Sequence, residues 1–246
     1  TWVGIGGRGE TRRRVGDYVH PRQGHDDRDA QMEVLTARRP REMPDSAMDL
    51  GVASCPKPGE KVCGDHHMVA TFDKGTLIAV VDALGHGDDA FHAAQVAERA
   101  LREDPSESVI GLVKRCHAVL RGTRGVVMSL ARCEAHSGLL TWIGVGNVEG
   151  VLVQTTSGSM PTKANLLHRG GVVGSSLPPL RAEVIDVTNG ALLLFATDGV
   201  QEAFADNLNP DPRTAQEIAD DCLRRYAKDS DDALVLCARL RGHPAS

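Results

Sequence analysis

From Met48 onward the chain runs in short stretches of Val, Ile, Leu and Ala separated by Gly, Asp and Pro, the pattern of strands joined by turns. It predicts strands at 48–55, 66–73, 75–83, 124–133, 138–145, 148–155, 182–188, 190–197 and 232–240. Asp73-Lys-Gly75 and Thr188-Asn-Gly190 read as hairpin turns in which Gly or Asn takes a positive φ, so the pairing is expected to be antiparallel. Between the third and fourth strands, Ala90, Ala93, Ala94, Ala97, Ala100 and Leu101 recur at helical spacing over 88–103. Val109, Leu112, Val113, Cys116 and Leu120 do so over 106–121, with Ser106 as the expected N-cap. A further helix is predicted over 212–227, with Ile218, Cys222 and Leu223 inward. Strands interrupted by a helical pair, with another helix before the last strand, indicate an α+β layered domain rather than βαβ units. Leu77-Ile-Ala-Val-Val81 is continuously apolar where a one-sided strand would alternate. The expected arrangement is therefore two sheets face to face, each covered by helices on its other side.

With 246 residues, 41% hydrophobic and 25% charged, the chain is long enough for a large core and ordinary enough in composition to be globular. Its formal charge of -5 argues against a nucleic-acid partner, which would need cationic neutralisation of phosphates. The longest apolar run, Ala191 to Thr197, is strand-sized, so no membrane span is expected. Six cysteines lie scattered without a CxxC pair, which fits a reducing, cytoplasmic compartment. Residues 1–46 mix Arg clusters with Gly and Pro and have weak apolar periodicity; they read as an Arg-rich, poorly ordered leader ahead of a domain at 47–243. The leader lacks the order of a secretion signal, and Thr as the first residue suggests a processed, truncated or partly determined sequence.

Aspartates stand at the ends of the apolar runs: Asp65 before the second strand, Asp82 after Leu77–Val81, Asp198 after Leu192–Thr197, and Asp231 and Asp232 before the last. A single Asp at a strand end is ordinarily a turn or cap residue. Several that converge from different strands repel one another and stay ionised only beside a cation, and hard oxygen ligands select Mg²⁺ or Mn²⁺. After Asp82 the chain passes through Ala-Leu-Gly-His-Gly87 into a helix, a glycine-rich reversal that lets a ligand approach the backbone.

Cys63-Gly-Asp65, Asp82-Ala-Leu-Gly-His-Gly87, Gly144-Val-Gly-Asn-Val-Glu-Gly150, Thr197-Asp-Gly199 and Asp231-Asp-Ala-Leu234 resemble, in order and spacing, the motifs of bacterial metal-dependent (type-2C, PPM) serine/threonine phosphatases of the sporulation stage II protein E class. The likeness covers about 49–242 and extends, through Gly51-Val-Ala-Ser-Cys-Pro56, Thr123-Arg-Gly-Val-Val-Met128, Arg169-Gly-Gly-Val-Val-Gly174 and Leu177-Pro-Pro-Leu-Arg181, to the small stand-alone phosphatases of the stressosome. It implies a four-layer α-β-β-α sandwich with two Mn²⁺ or Mg²⁺ ions at one end of the sheets. The implied activity is hydrolysis of phosphoserine or phosphothreonine on a signalling protein by a metal-activated water, with a phosphorylated STAS-domain regulator as substrate. Carried over by position, Asp82 bridges both ions; Asp65 and the carbonyl of Ala83 hold one, Asp198 and Asp231 the other, and Asp65 and Asp82 carry the catalysis. His86, Asn147 and Asp232 are candidates for supporting contacts, and the expected assembly is a monomer or weak dimer. Two ions about 3.5–4 Å apart lower the pKa of a bridging water and clamp phosphoryl oxygens, so no protein nucleophile is needed.

Two positions depart from the family pattern. Ala83 stands where Gly is common, and Leu234 stands where Ser or Thr often follows the Asp pair. A methyl at 83 restricts φ, and Leu234 removes a hydroxyl near the site, so a non-catalytic protein-binding regulator on the same scaffold is the competing reading. Gly144–Gly150 reads as a sheet-to-sheet turn, since a strand and not a helix follows it. Cys63, His66 and His67 lack the second pair of a zinc site. His117 reads as packed, Arg124 as either a phosphate contact or a surface ion-pair partner, and Trp142 as core.

Overall fold

The computed structural model describes residues 48–240 apart from 135–136, 156–159 and 209–211. The expected leader at 1–46 lies outside the described residues. In chain order the elements are β1 (Met48–Cys55), β2 (Asp65–Phe72), β3 (Gly75–Ala83), α1 (Asp88–Glu103), α2 (Val109–Val119), β4 (Val126–Glu134), β5 (Leu139–Val145), β6 (Glu149–Gln154), β7 (Thr162–Asn165), β8 (Glu183–Asp186), β9 (Leu192–Ala196), α3 (Ala203–Asp206), α4 (Ala215–Tyr226) and β10 (Ala233–Leu240). They form two five-stranded antiparallel sheets, ordered β1-β10-β9-β6-β7 and β2-β3-β4-β5-β8. The α+β sandwich expected from the sequence is the fold observed.

Three apolar cores explain the layering. Leu77, Ala79, Val81 and Ala83 of β3 pack with α1 and α2, whereas Ile78 and Val80 point to the facing sheet. Leu192, Leu194 and Ala196 of β9 pack under α3 and α4, whereas Leu193 and Phe195 enter the inter-sheet core. β10 divides likewise, with Ala233, Val235 and Cys237 outward and Leu234, Leu236, Ala238 and Leu240 between the sheets. The alternation of a strand is thus preserved, but both of its faces are apolar.

Several details differ from the sequence expectation. α2 is capped by Ser108, whose hydroxyl accepts from the Gly111 N–H at 3.1 Å. Ser106 instead gives both its N–H and its hydroxyl to the Asp104 carboxylate, a local turn that delays the helix. Gly75 is the first residue of β3, paired with Phe72, and does not take a positive φ. Gly190 does, at 82°, but the turn it closes carries the chain from β8 in one sheet to β9 in the other, so it makes no hairpin. β7 and α3 were not predicted; each is four residues long, and neither has an apolar period to betray it. Among the described residues no helix is long and apolar enough to cross a membrane.

Candidate metal centre

The strand alternation aims the candidate acids. Ile78 and Val80 face the other sheet, so Asp82, next in that register, does too. Val69 faces the same way, and Asp65 shares its side of β2. Asp65 and Asp82 are direct cross-strand partners, which sets two carboxyls side by side at the open end of the inter-sheet core. Thr197 follows β9 in the register of Leu193 and Phe195, and Asp232 precedes β10 in the register of Leu234 and Leu236. Both sheets therefore deliver polar groups to one rim.

Burial there is graded: Asp65 is 6% exposed, Asp82 and Asp231 are half-buried, and Asp198 is exposed. Burial, then the charge of Asp82, push the Asp65 carboxyl well above the usual carboxylate range, and a hydrogen bond from Thr197 opposes the shift. Asp82 is pushed up to about 8 by burial first and then by Asp198, Asp231 and Asp232, while a hydrogen bond with Asp65 opposes it. These acids lie within electrostatic reach of one another and destabilise each other's ionised form. Among the described residues no three His, Cys, Asp or Glu side chains close into a ligand cage. The acids that share the rim offer carboxylate oxygens, the donor type a hard cation takes. On that chemistry the residues present fit Mg²⁺ or Mn²⁺.

Neighbouring groups hold the acids in place. Thr197 Oγ1 donates to Asp65 Oδ2 at 2.7 Å and accepts from the Leu234 N–H at 2.8 Å. Asn147 Nδ2 donates to Asp198 Oδ2 at 2.8 Å from the β5–β6 turn, so the glycine-rich 144–150 segment is a sheet-to-sheet turn, as expected. Asp232 is 3% exposed and accepts the N–H groups of Lys57 and Gly64, each at 2.8 Å, one per carboxylate oxygen. It clasps the two ends of the loop before Asp65. The sequence reading gave no supporting role to Thr197 or to Lys228, whose ammonium donates to the Asp198 carbonyl; the signal for Thr197 was its place at the head of the Thr197-Asp-Gly199 motif.

The reversal after Asp82 is made by Gly85 at φ 84° and Gly87 at φ 77°, conformations that glycine adopts without strain. Ala83 is the last residue of β3, its methyl buried in the helix-side core and its N–H donating to the Gly64 carbonyl at 3.3 Å. The methyl at 83 is therefore part of the packing. Leu234 fills the inter-sheet core, and the nearby hydroxyl comes from Thr197. His86 is exposed, with Nδ1 2.6 Å from Glu60 Oε1, and Arg124 pairs with Asp89 at 3.0 Å. His117 accepts from the Gly174 N–H, and Trp142 is buried with Nε1 donating to Glu183. Cys63, its thiol pushed up by burial, donates to the Cys55 carbonyl, while His66 pairs with Glu98.

This two-sheet sandwich is the fold of the PP2C-type phosphatase structures, RsbX and the serine/threonine phosphatase PstP among them. Residues 73–241 match the family model of Stage II sporulation protein E (SpoIIE), and the chain belongs to that family. It is 23% identical over 184 residues to the phosphoserine phosphatase RsbX of Bacillus subtilis, covering 75% of this chain and 90% of that protein. The structure of RsbX in complex with magnesium superposes with a TM-score of 0.71 at 22% identity, covering 80% of this chain and 98% of RsbX. A structure from work on the bacterial stressosome, described as a modular system adapted to control secondary messenger signaling, gives 0.70 at 29% identity, covering 79% of this chain and all of its own. The catalytic domain of the serine/threonine phosphatase PstP with two manganese ions gives 0.57 at 15% identity, covering 79% of this chain and 99% of that domain.

Proposed function

We propose that this chain hydrolyses phosphoserine or phosphothreonine on a protein of a stress-signalling assembly, with a phosphorylated STAS-domain regulator as substrate. The observation that carries the reading is the side-by-side placement of Asp65 and Asp82 at the mouth of the inter-sheet core, within electrostatic reach of Asp198 and Asp231. Asp82 would bridge two Mn²⁺ or Mg²⁺ ions, with Asp65 and the Ala83 carbonyl on one and Asp198 and Asp231 on the other. When bound, such a pair supplies an acidified water and neutralises phosphoryl oxygens. The protein's part is to keep Asp65 and Asp82 oriented, through Thr197 and the cross-strand pairing, and to keep Asp198 at the rim, through Asn147. Asp232, both of whose oxygens accept main-chain bonds, supports the loop rather than an ion.

The substrate class draws on two likenesses, to RsbX, named a phosphoserine phosphatase, and to the stressosome structure. The competing non-catalytic reading depends on Ala83 and Leu234, and the packing of both is compatible with an intact site. The domain is taken as 47–243, acting in the cytoplasm as a monomer or weak dimer. The test is phosphate release from phosphorylated STAS-domain protein with Mn²⁺, expected for the wild-type chain and lost on Asp82→Asn. Equal release by both proteins, or none by either, would end the proposal.

A further inference from the structure

Asp198 is the most exposed of the proposed ligands, and its turn is held from the far side by a residue that no motif contains. Lys228 lies between α4 and β10. Its main-chain N–H donates to the Gly199 carbonyl at 2.7 Å, and its ammonium donates to the Asp198 carbonyl at 2.6 Å. The Gln201 N–H donates to the Tyr226 carbonyl at 2.8 Å, and Val200 bridges Ala227, so the chain after Asp198 runs clasped along 226–228. On its other side the turn is pressed against the entry to β10, where a Cβ on Gly199 would lie 1.8 Å from the Asp232 carbonyl. Asn147 fixes the carboxylate end of the same residue.

We propose that Lys228 is a positioning residue for Asp198, its ammonium fixing the peptide from which the carboxylate reaches one of the two ions. The inference rests on the metal-site reading above. The main-chain bonds of 226–228 do not depend on side-chain identity, but the bond to the Asp198 carbonyl does. That bond is charge-assisted and sets the carbonyl direction, which in turn sets where the side chain departs. Lysine would also carry a cost, because its ammonium would repel a cation held by Asp198. The two effects differ in salt dependence: repulsion between exposed charges is screened over about 10 Å at 0.1 M salt and a few Å near 1 M, whereas the geometric effect persists.

The experiment is calorimetric titration of the full chain with Mn²⁺, at about 0.1 M and about 0.5 M salt, for wild type, Lys228→Met and Lys228→Arg. Wild type is expected to take up two ions. Lys228→Met should weaken one of them about tenfold at both salts, and Lys228→Arg, which keeps a charged donor, should stay within about twofold. Thermal unfolding in EDTA separates positioning from bulk destabilisation, and the Met variant is expected to melt within about 3 °C of wild type. Unchanged or tighter binding by Lys228→Met overturns the inference, as does equal loss in the Arg variant or a loss of affinity that tracks a fall in melting temperature. A wild-type chain that takes up no Mn²⁺ overturns the metal-site reading itself, and this inference with it.

Discussion

Thr197 Oγ1 donates to Asp65 Oδ2 at 2.7 Å, joining the end of β9 in one sheet to the start of β2 in the other. Because the same hydroxyl accepts from the Leu234 N–H, its proton is free to face the carboxylate, and the bond favours an ionised Asp65 against the pull of burial. Thr197→Val keeps the shape and removes both bonds. It is expected to leave a buried N–H and a buried carboxylate oxygen without this partner, costing about 1–3 kcal/mol by urea unfolding in EDTA. Mn²⁺ affinity should fall with it, and Thr197→Ser should restore most of both.

The raised Asp65 and Asp82 carboxyls give the metal-free protein an inverted pH dependence. A folded-state pKa above the unfolded value favours folding fully below the unfolded value, near 4, and that contribution is lost as pH rises through the folded value, about 8 for Asp82. In EDTA the melting temperature is therefore expected to fall between pH 5 and pH 8.5, and less steeply for Asp82→Asn. With saturating Mn²⁺ the trend should reverse, since protons then compete with the ion for the same oxygens. Melting curves across that range, with and without metal, decide it; a wild-type slope in EDTA no steeper than that of Asp82→Asn would refute the assignment.

The adjacent acids Asp231 and Asp232 are expected to separate cleanly on mutation. The charges of both raise the Asp82 carboxyl, but Asp232 spends both oxygens on the N–H groups of Lys57 and Gly64, whereas Asp231 accepts the Asp232 N–H through Oδ1. Asp232→Ala should cost about 1–3 kcal/mol of stability by leaving the buried Gly64 N–H and the half-buried Lys57 N–H without this partner, with metal stoichiometry retained at low temperature. Asp231→Asn should leave the EDTA melting temperature nearly unchanged and reduce Mn²⁺ uptake. Paired unfolding and calorimetric titrations of the two variants check both statements.

The sandwich was legible because apolar residues alternate between two cores, so that a run such as Leu77–Val81 has to be covered on both of its faces. The aspartates stood out as charge at the ends of apolar runs, which is what drew attention to Asp65 and Asp82, but the same signal did not separate them from Asp232, whose oxygens hold the loop before Asp65. What the sequence concealed depends on contacts distant along the chain. Ser106 lost the N-cap to Ser108 because Asp104 claims it in a local turn, a competition that spacing does not rank. The 188–190 turn gave its φ correctly but not its destination, which depends on β8 pairing with β5 and β9 with β10. Thr197, although it opens the Thr197-Asp-Gly199 motif, and Lys228, which lies outside the motifs, make contacts that only the folded chain reveals.

Glu60 and His86 supply the last test. Their 2.6 Å contact joins the loop before Asp65 to the turn after Asp82, and the two side chains are 31% and 43% exposed. The first turn of α1 has Gly87 as N-cap with no side-chain bond, and a Cβ on Gly87 would lie 3.3 Å from Glu60 Oε2, so a carboxylate stands where the helix N-terminus favours negative charge. Exposure keeps the stability contribution small, but the contact ties together the two segments that carry the paired acids. Glu60→Gln and His86→Ala are each expected to lower phosphatase turnover several-fold, with stability shifted by no more than about 0.5 kcal/mol. If the residues act as one tie, the double variant should be no slower than the worse single variant, leaving a coupling on the order of 1 kcal/mol in a double-mutant cycle. Additive losses would mean that each residue works alone and that the contact between them does not hold the site together.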